Sequence, residues 1–509
     1  MLRGSLRTLS VLLLVTGMVA WSAAQSTLTI ALPVEPASID AHIPTDSPSA
    51  MVTSHIFDTL YRWDAETGQI LPHLATSAEM SQDGLQWTLT LREDVTFHNG
   101  MPLNAEVVKG SMDRLLDPDT AAAFAWILGL IEETEVVDEY TVRFTLSAQF
   151  APFLSHLTHS GVAIVHPDVV AELGEQHNEE PVGTGPFRLV NWDRGNQVVL
   201  ERNDDYWGEL PGIERLVFRT VPEDTTRVAM LESGEVDVAR VPPHDVARVN
   251  ANPDVTVENV SGVRTIFIYF NHTMEPFTDV RVRRAINHAV NMDEIAEFVH
   301  AGTARPSDAA IAPGIFGYTP VGRYAYDPEL ARELLAEAGF PDGLDVVLHS
   351  PTARYPGDIQ TSEAIQSQLA EVAINATIET MEWTSYIPFT ARPVEENEIQ
   401  MAMLGWGTVT GDADYGLYAL FHSSQHAPAG FNRGFYTNAI VDALLEEART
   451  SADTALREQL YEDVLQIVFD DAAWLFLHSE TQIVGVRDNV EGLVIHPTER
   501  YLAHNVTKN

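Results

Sequence analysis

The chain has 509 residues, is 45 % hydrophobic and carries a formal net charge of −43. That hydrophobic fraction excludes a disordered chain, and the length calls for two or more domains. With 73 acidic residues against 30 basic ones, no basic patch is available for phosphate backbones, so nucleic acid is excluded as a partner. The acidity reads as a solvated surface, whose self-repulsion external salt would screen.

The first stretch, "MLRGSLRTLSVLLLVTGMVAWSAAQ", has Arg3 and Arg7, then an apolar run from Leu9 to Trp21, then Ser22, Ala23 and Ala24. This is the pattern of a secretory signal peptide cut after Ala24. It is too short and wrongly flanked for a spanning helix. Cysteine is absent from the whole chain, so neither lipid anchoring at the cleavage site nor a disulfide or thiolate metal site is expected. Export without lipidation predicts a free protein in the periplasm.

"STLTIALPVEPASIDAH" alternates at Leu28, Ile30 and Leu32, then breaks at Pro33 and Pro36, as a strand feeding a polar loop does. "QWTLTLREDVTFHNG" predicts a hairpin strand through Val95 and Phe97 that ends at Asn99-Gly100. "EYTVRFTL", "QVVLERNDDYW" and "RLVFRTV" are further strands, the last followed by an acidic helix start at Pro222-Glu223-Asp224. From about residue 279 the pattern turns helical. Asp279 is placed to cap a helix whose apolar stripe holds Ala285, Ile286, Ala289 and Val290, with Gly302 as its stop. In "YDPELARELLAEAGF", Asp327 caps, Pro328 suits the first turn, and Gly339 suits a left-handed stop. "TSEAIQSQLAEVAI" is a helix leading to the strand "NATIETMEW". "NAIVDALLEEA" and "REQLYEDVLQIVFDDAAWLFLH" supply two more helices and a strand. Strand-rich structure thus precedes helix–strand alternation, with no repeat and no long linker.

In "LGWGTVTGDADYGLYALF" an apolar strand reaching Leu404 ends at Gly405-Trp406-Gly407 and meets two acids, Asp412 and Asp414. The acids either cap the following helix or face a cleft. Signatures of hydrolases, metalloproteases, phosphate loops and dinucleotide sites are absent, so no catalytic residue, cofactor or metal is assigned. Of the 18 histidines, His156/His159 and His422/His426 have ligand-like spacing, but the second pair reads as a loop and chance pairs are expected.

Several segments in order resemble the family 5 (peptide/nickel) class of extracytoplasmic solute-binding proteins of ABC importers. They are "EPASIDAH", "IFDTLYRWDAETGQILPHLATS", "LREDVTFHNGMPLNAEVVKGSMDRL", "GTGPFRLVNWDRGNQVVLERNDDYWG", "MLESGEVDVA", "FTDVRVRRAINHAVNMDEI" and "LFHSETQIVGVRDNVEGLVIHP". The resemblance implies an α/β fold of two lobes, the type II periplasmic-binding-protein or Venus-flytrap arrangement, with an extra β-rich domain in the first lobe. The implied division is signal peptide 1–24, first lobe 25–65, extra domain 66–182, first lobe again 183–270, second lobe 271–477 and a return to the first lobe over 478–509, with crossings near residues 271 and 478.

The resemblance also implies ligand-side residues. Dipeptide and oligopeptide binders of the class carry a Trp-x-x-Asp arrangement whose Asp pairs with the ligand ammonium, but Trp406 is followed at that offset by Val409. The stretch is most similar to the glutathione-binding subgroup. The candidates are Trp406, Gly407, Thr408, Asp412, Asp414 and Tyr415, together with Arg354 and Tyr355 in "SPTARYPGD" and Glu35 and Ser38 in "EPASID". Arg354 is expected to grip a ligand carboxylate, with a salt bridge as the rival reading. The implied function is capture of a peptide or peptide-like solute, with a glutathione-like one included, by a monomer that docks on ABC permease subunits. A metal-chelate or other non-peptide carrier is the alternative within the class, and a secreted hydrolase is the alternative outside it.

Overall fold

The computed structural model describes residues 26–44, 46–64 and 66–509, with the backbone alone at Glu175. The expected signal peptide, 1–24, lies outside the described residues.

A large mixed sheet runs through the molecule. Its strand order is Ile374–Glu382, Leu344–Thr352, Met401–Gly407, Val255–Phe270, Trp474–Arg487, Val238–Arg240, Thr27–Leu32, Arg215–Thr220, Gln197–Arg202 and Phe187–Asp193. Two long strands at its centre join two lobes. In the first lobe, Val255–Ser261 pairs with Thr481–Arg487; in the second, Thr265–Tyr269 pairs with Trp474–Ser479, and the register shifts between. Gly262 sits at the shift, where a Cβ would come within 3.0 Å of the Glu480 carbonyl oxygen, a close approach that favours glycine.

The apolar cores follow the same division. Leu28, Ile30, Phe218 and Val484 pack in the first lobe. Val263, Phe267, Leu348, Met403 and Val464 pack in the second. Because Val263 already belongs to the second core, the first crossing falls at about Gly262 and not near 271. The strand continues unbroken through the crossing, so no turn signal marks it. The partner strand passes from the second core at Leu477 to the first at Val484.

A four-stranded antiparallel sheet, Ala75–Met80, Gln86–Leu91, Thr141–Leu146 and Ile131–Asp138 in that order, has its own core around Leu89, Val142 and Phe144. The strand from Gln86 ends at Leu91, short of the expected Phe97. Phe97 instead opens a separate tight turn, closed by Gly100 N donating to Phe97 O with Gly100 at φ +81°.

Local capping set several helix starts as the residue types dictate. Asp279 accepts from Arg281 N before Val280–Ala289, and Asp327 accepts from Leu330 N before Pro328–Glu337. The stripe read as one helix after Asp279 is two, because Asn291 caps a second, Met292–Phe298.

Candidate functional site

The strand Met401–Gly407 ends at the junction of the lobes, beside a cavity of about 110 Å³. At about 30 Å³ per water in the liquid, that is room for roughly four waters or a small organic molecule. The first lobe contributes Asp46, Ser47, His159 and Arg500; the second contributes Arg354, Trp406, Val409 and Arg433. A Cβ at Gly405 would crowd Ile266 Cδ1 at 2.5 Å and Tyr355 Cε1 at 2.9 Å, which favours glycine there. The Gly405 N–H donates to the Tyr355 hydroxyl at 2.7 Å.

The lobes are closed over this cavity. Tyr415 stacks on Trp406 at 5.2 Å within the second lobe and on Trp126 of the first at 5.7 Å. Phe124 stacks on Phe431 across the junction at 5.7 Å, and His159 Nε2 lies 3.0 Å from the Tyr415 hydroxyl.

An ion-pair network forms one wall. Arg354 donates to Glu499 through Nη2 at 2.9 Å and Nη1 at 3.3 Å. Arg264 pairs with Glu499 as well, and its Nε lies 3.3 Å from Glu480. Arg354 is 4 % exposed, so this is a buried interlobe pair and not a surface one. Glu499 presents its carboxylate from a left-handed backbone, φ +60°, unusual for a residue with a Cβ. Burial by itself raises the Glu499 carboxyl, but Arg264 and Arg354 more than reverse this and hold it below the ordinary range. Glu480 is pushed up to about 7, chiefly by burial and then by the neighbouring Glu499.

Of the expected site residues, the structure brings Trp406, Gly407, Tyr415 and Arg354 to the cavity wall. The rest are held elsewhere. Asp412 caps the helix Ala413–Phe421 and accepts from Arg457 Nη2 at 2.8 and 2.9 Å. Asp414 is fully buried, 3.4 Å from both Arg449 Nε and His156 Nε2. Asp412 and Asp414 therefore cap and pair; they do not line the cavity. Thr408 is buried and donates its N–H to Val263 O. Tyr355 is buried beneath Arg354, whose guanidinium carbon sits 4.9 Å from the ring centre. Glu35 accepts from Gly195 N at 2.7 Å, and Ser38 donates to Asn178 Oδ1. Each of these six is thus occupied by an internal partner.

Two cationic wall residues escaped the sequence reading. Arg433 is 8 % exposed, and its Nη1 donates to the Ile387 carbonyl at 3.0 Å and to Thr390 Oγ1. Arg500 donates through Nε to Thr498 Oγ1 at 2.8 Å. Neither has a carboxylate within 4.0 Å among the described residues, and burial lowers both, Arg500 to about 10. The lining carboxylate, Asp46, is already taken by Ser49 N and Ser49 Oγ, both at 2.9 Å. Trp406 Nε1 is buried without an acceptor. Nothing local in "FNRGFY" or "PTERYL" shows that these arginines lack acidic partners; only the tertiary fold does.

The histidine pairs are engaged separately. His156 Nδ1 lies 2.8 Å from Ile127 O, His422 Nδ1 2.8 Å from Ser424 Oγ, and His426 Nε2 3.0 Å from Tyr436 O. Burial pulls His156 down to about 4 and His159 to about 3.

Two lobes joined by crossing strands, with a cavity of apolar walls and four arginines at their junction, define a solute-binding protein that takes its ligand between the lobes. Residues 69–428 match the model of the bacterial extracellular solute-binding proteins, family 5 (middle region), and the chain belongs to that family, the solute-binding proteins of ABC importers. It is 31 % identical over 463 residues to the glutathione-binding protein GsiB of Pectobacterium atrosepticum, covering 90 % of each chain. The periplasmic binding protein DppA of Helicobacter pylori, solved in complex with the peptide STSA, superimposes with a TM-score of 0.88 at 30 % identity, covering 95 % of this chain and 98 % of the other. AgaA of A. tumefacien R10, solved with agropinic acid, gives 0.85 at 27 %, covering 95 % and 99 %.

Proposed function

We propose that this protein captures a peptide or peptide-like solute bearing carboxylate, of the glutathione kind, between its lobes and delivers it to ABC permease subunits. It acts as a periplasmic monomer freed by cleavage of its signal peptide, without catalysis, metal or cofactor of its own. The observation that carries this reading is the imbalance of the cavity wall. Arg433 and Arg500 have only neutral acceptors and no carboxylate partner among the described residues, Trp406 Nε1 has no acceptor, and the lining carboxylate Asp46 is already satisfied by Ser49. A cavity of that kind calls for a ligand rich in acceptors and negative charge, since cations held away from water without a partner are penalised.

Val409 lines the cavity where the dipeptide binders of the class place an ammonium-pairing acid. An ordinary dipeptide therefore leaves its ammonium unpaired, at a cost of about 3–5 kcal/mol, or roughly a few hundred- to a few thousand-fold in affinity. The names of the GsiB relatives support a glutathione-like ligand, whose amine is displaced onto a γ-glutamyl arm. AgaA with agropinic acid supports a second reading, a non-peptide acid in the same cavity.

Isothermal titration calorimetry with glutathione, Ala-Ala and nickel tests the proposal. Glutathione is expected to bind with a saturating isotherm, Ala-Ala at least about a hundred-fold more weakly, and nickel not at all. Tight binding of Ala-Ala with no binding of glutathione overturns it.

A further inference from the structure

We infer that the ligand carries two carboxylates, and that Arg433 of the second lobe and Arg500 of the first are the specificity-determining residues that receive them. This rests on the reading of the interlobe cavity as the binding site.

The four guanidiniums in the wall differ in what already neutralises them. Arg354 and Arg264 share Glu499, and Arg264 has Glu480 as well. That corner is complete without a ligand, so the position where the resemblance places a carboxylate grip is filled by the protein's own carboxylate. Arg433 and Arg500 have no such partner. Each is anchored at one edge by neutral acceptors: Arg433 through Nη1 to Ile387 and Thr390, Arg500 through Nε to Thr498. Anchoring one edge fixes the guanidinium plane and leaves the remaining N–H groups to serve as a fork for a planar carboxylate.

The two arginines come from different lobes. Arg500 opens the strand Arg500–Leu502, beside Glu499. Arg433 lies two residues after Phe431, whose ring packs on Trp406 and, across the junction, on Phe124. A ligand with one carboxylate can neutralise one of them, and the other cation then stays unpaired in the cavity wall. A ligand with a carboxylate at each end neutralises both and ties the lobes together. Charge count, not side-chain shape, is then the main discriminator.

Calorimetry on a matched series tests this: glutathione, glutathione amidated at the glycyl carboxylate, glutathione amidated at the γ-glutamyl α-carboxylate, Ala-Ala, and a non-peptide dicarboxylic acid such as N-acetylglutamate. Against the wild type, each amidation is expected to weaken binding roughly ten- to hundred-fold, the worth of hydrogen bonds to a charged group. Arg433→Gln and Arg500→Gln are expected to lose a similar factor for glutathione, and each is expected to lose nothing further for the derivative amidated at its own end. A merely structural role for either arginine predicts the same loss for every ligand. The inference is overturned if the wild type binds either amide as tightly as glutathione, a comparison that needs no variant to fold. In that case the peptide reading stands. Binding of N-acetylglutamate without binding of any peptide overturns the peptide reading and keeps the inference. Failure of every diacid in the series overturns both.

Discussion

Replacing Glu499 with Gln removes one negative charge from the centre of the interlobe network. Arg354 is left with no carboxylate, and Arg264 keeps Glu480 alone. Arg354 sits on the second lobe and Glu499 on the first, with side-chain exposures of 5 % and 13 %. Both groups are accessible to water when the lobes part, so the penalty falls on the closed state and not on the folding of either lobe. Breaking a buried pair costs about 3–5 kcal/mol. Gln still accepts one hydrogen bond, so the lower figure is the better guide, and a closing constant reduced roughly hundred-fold is expected. Small-angle scattering of Glu499→Gln is expected to give a larger radius of gyration than the wild type, with weaker ligand affinity to match. The double variant Glu499→Gln, Arg354→Gln carries no stranded cation at this position and is expected to recover much of the closure. An unchanged radius and affinity in the single variant, or no recovery in the double, refutes the argument that this pair holds the lobes together.

The remaining predictions concern separate parts of the molecule. Glu480 is raised above its ordinary 4.5 to about 7, so the folded protein binds the extra proton between those values and stability falls as pH rises through that window. Glu480→Gln is expected to flatten that part of the Tm–pH curve, and parallel curves for variant and wild type would count against the assignment. The buried histidines, lowered by desolvation, titrate alike in both proteins and cancel in the difference. Asp412→Asn strands the Arg457 guanidinium and is expected to lower Tm, at about 3–5 kcal/mol for a broken buried pair, while leaving ligand affinity unchanged in the folded protein; lost affinity at an unchanged Tm would place Asp412 at the ligand after all. Val409→Asp puts a carboxylate into the cavity wall and is expected to shift preference toward Ala-Ala in a thermal-shift screen; no gain would show that an ammonium does not reach this wall.

The elements legible in the sequence are those with local causes. Asp279, Asp327 and Asp412 announce helix starts because a short acidic side chain reaches the free N–H groups of the first turn. The apolar run from Met401 announces a buried strand, and Trp406 at its end does reach the cavity. The partners that decide the chemistry are not local. Arg354 meets Glu499 145 residues away, and Asp412 meets Arg457 45 residues away. A charge carries no sequence mark of the charge it will face. With 73 acids in the chain, no particular pairing could be singled out, and neither could the two arginines that go without. The lobe crossing at Gly262 was hidden for the opposite reason: the strand passes through it without a turn.

The most direct test of the central claim is mass spectrometry of the small molecule retained by the protein when it is isolated without denaturation from the cells that make it. The account predicts an organic acid that takes up two methyl groups on esterification and is lost from the Arg433→Gln, Arg500→Gln double variant. A metal ion, a neutral sugar or any molecule without an esterifiable carboxylate would contradict it.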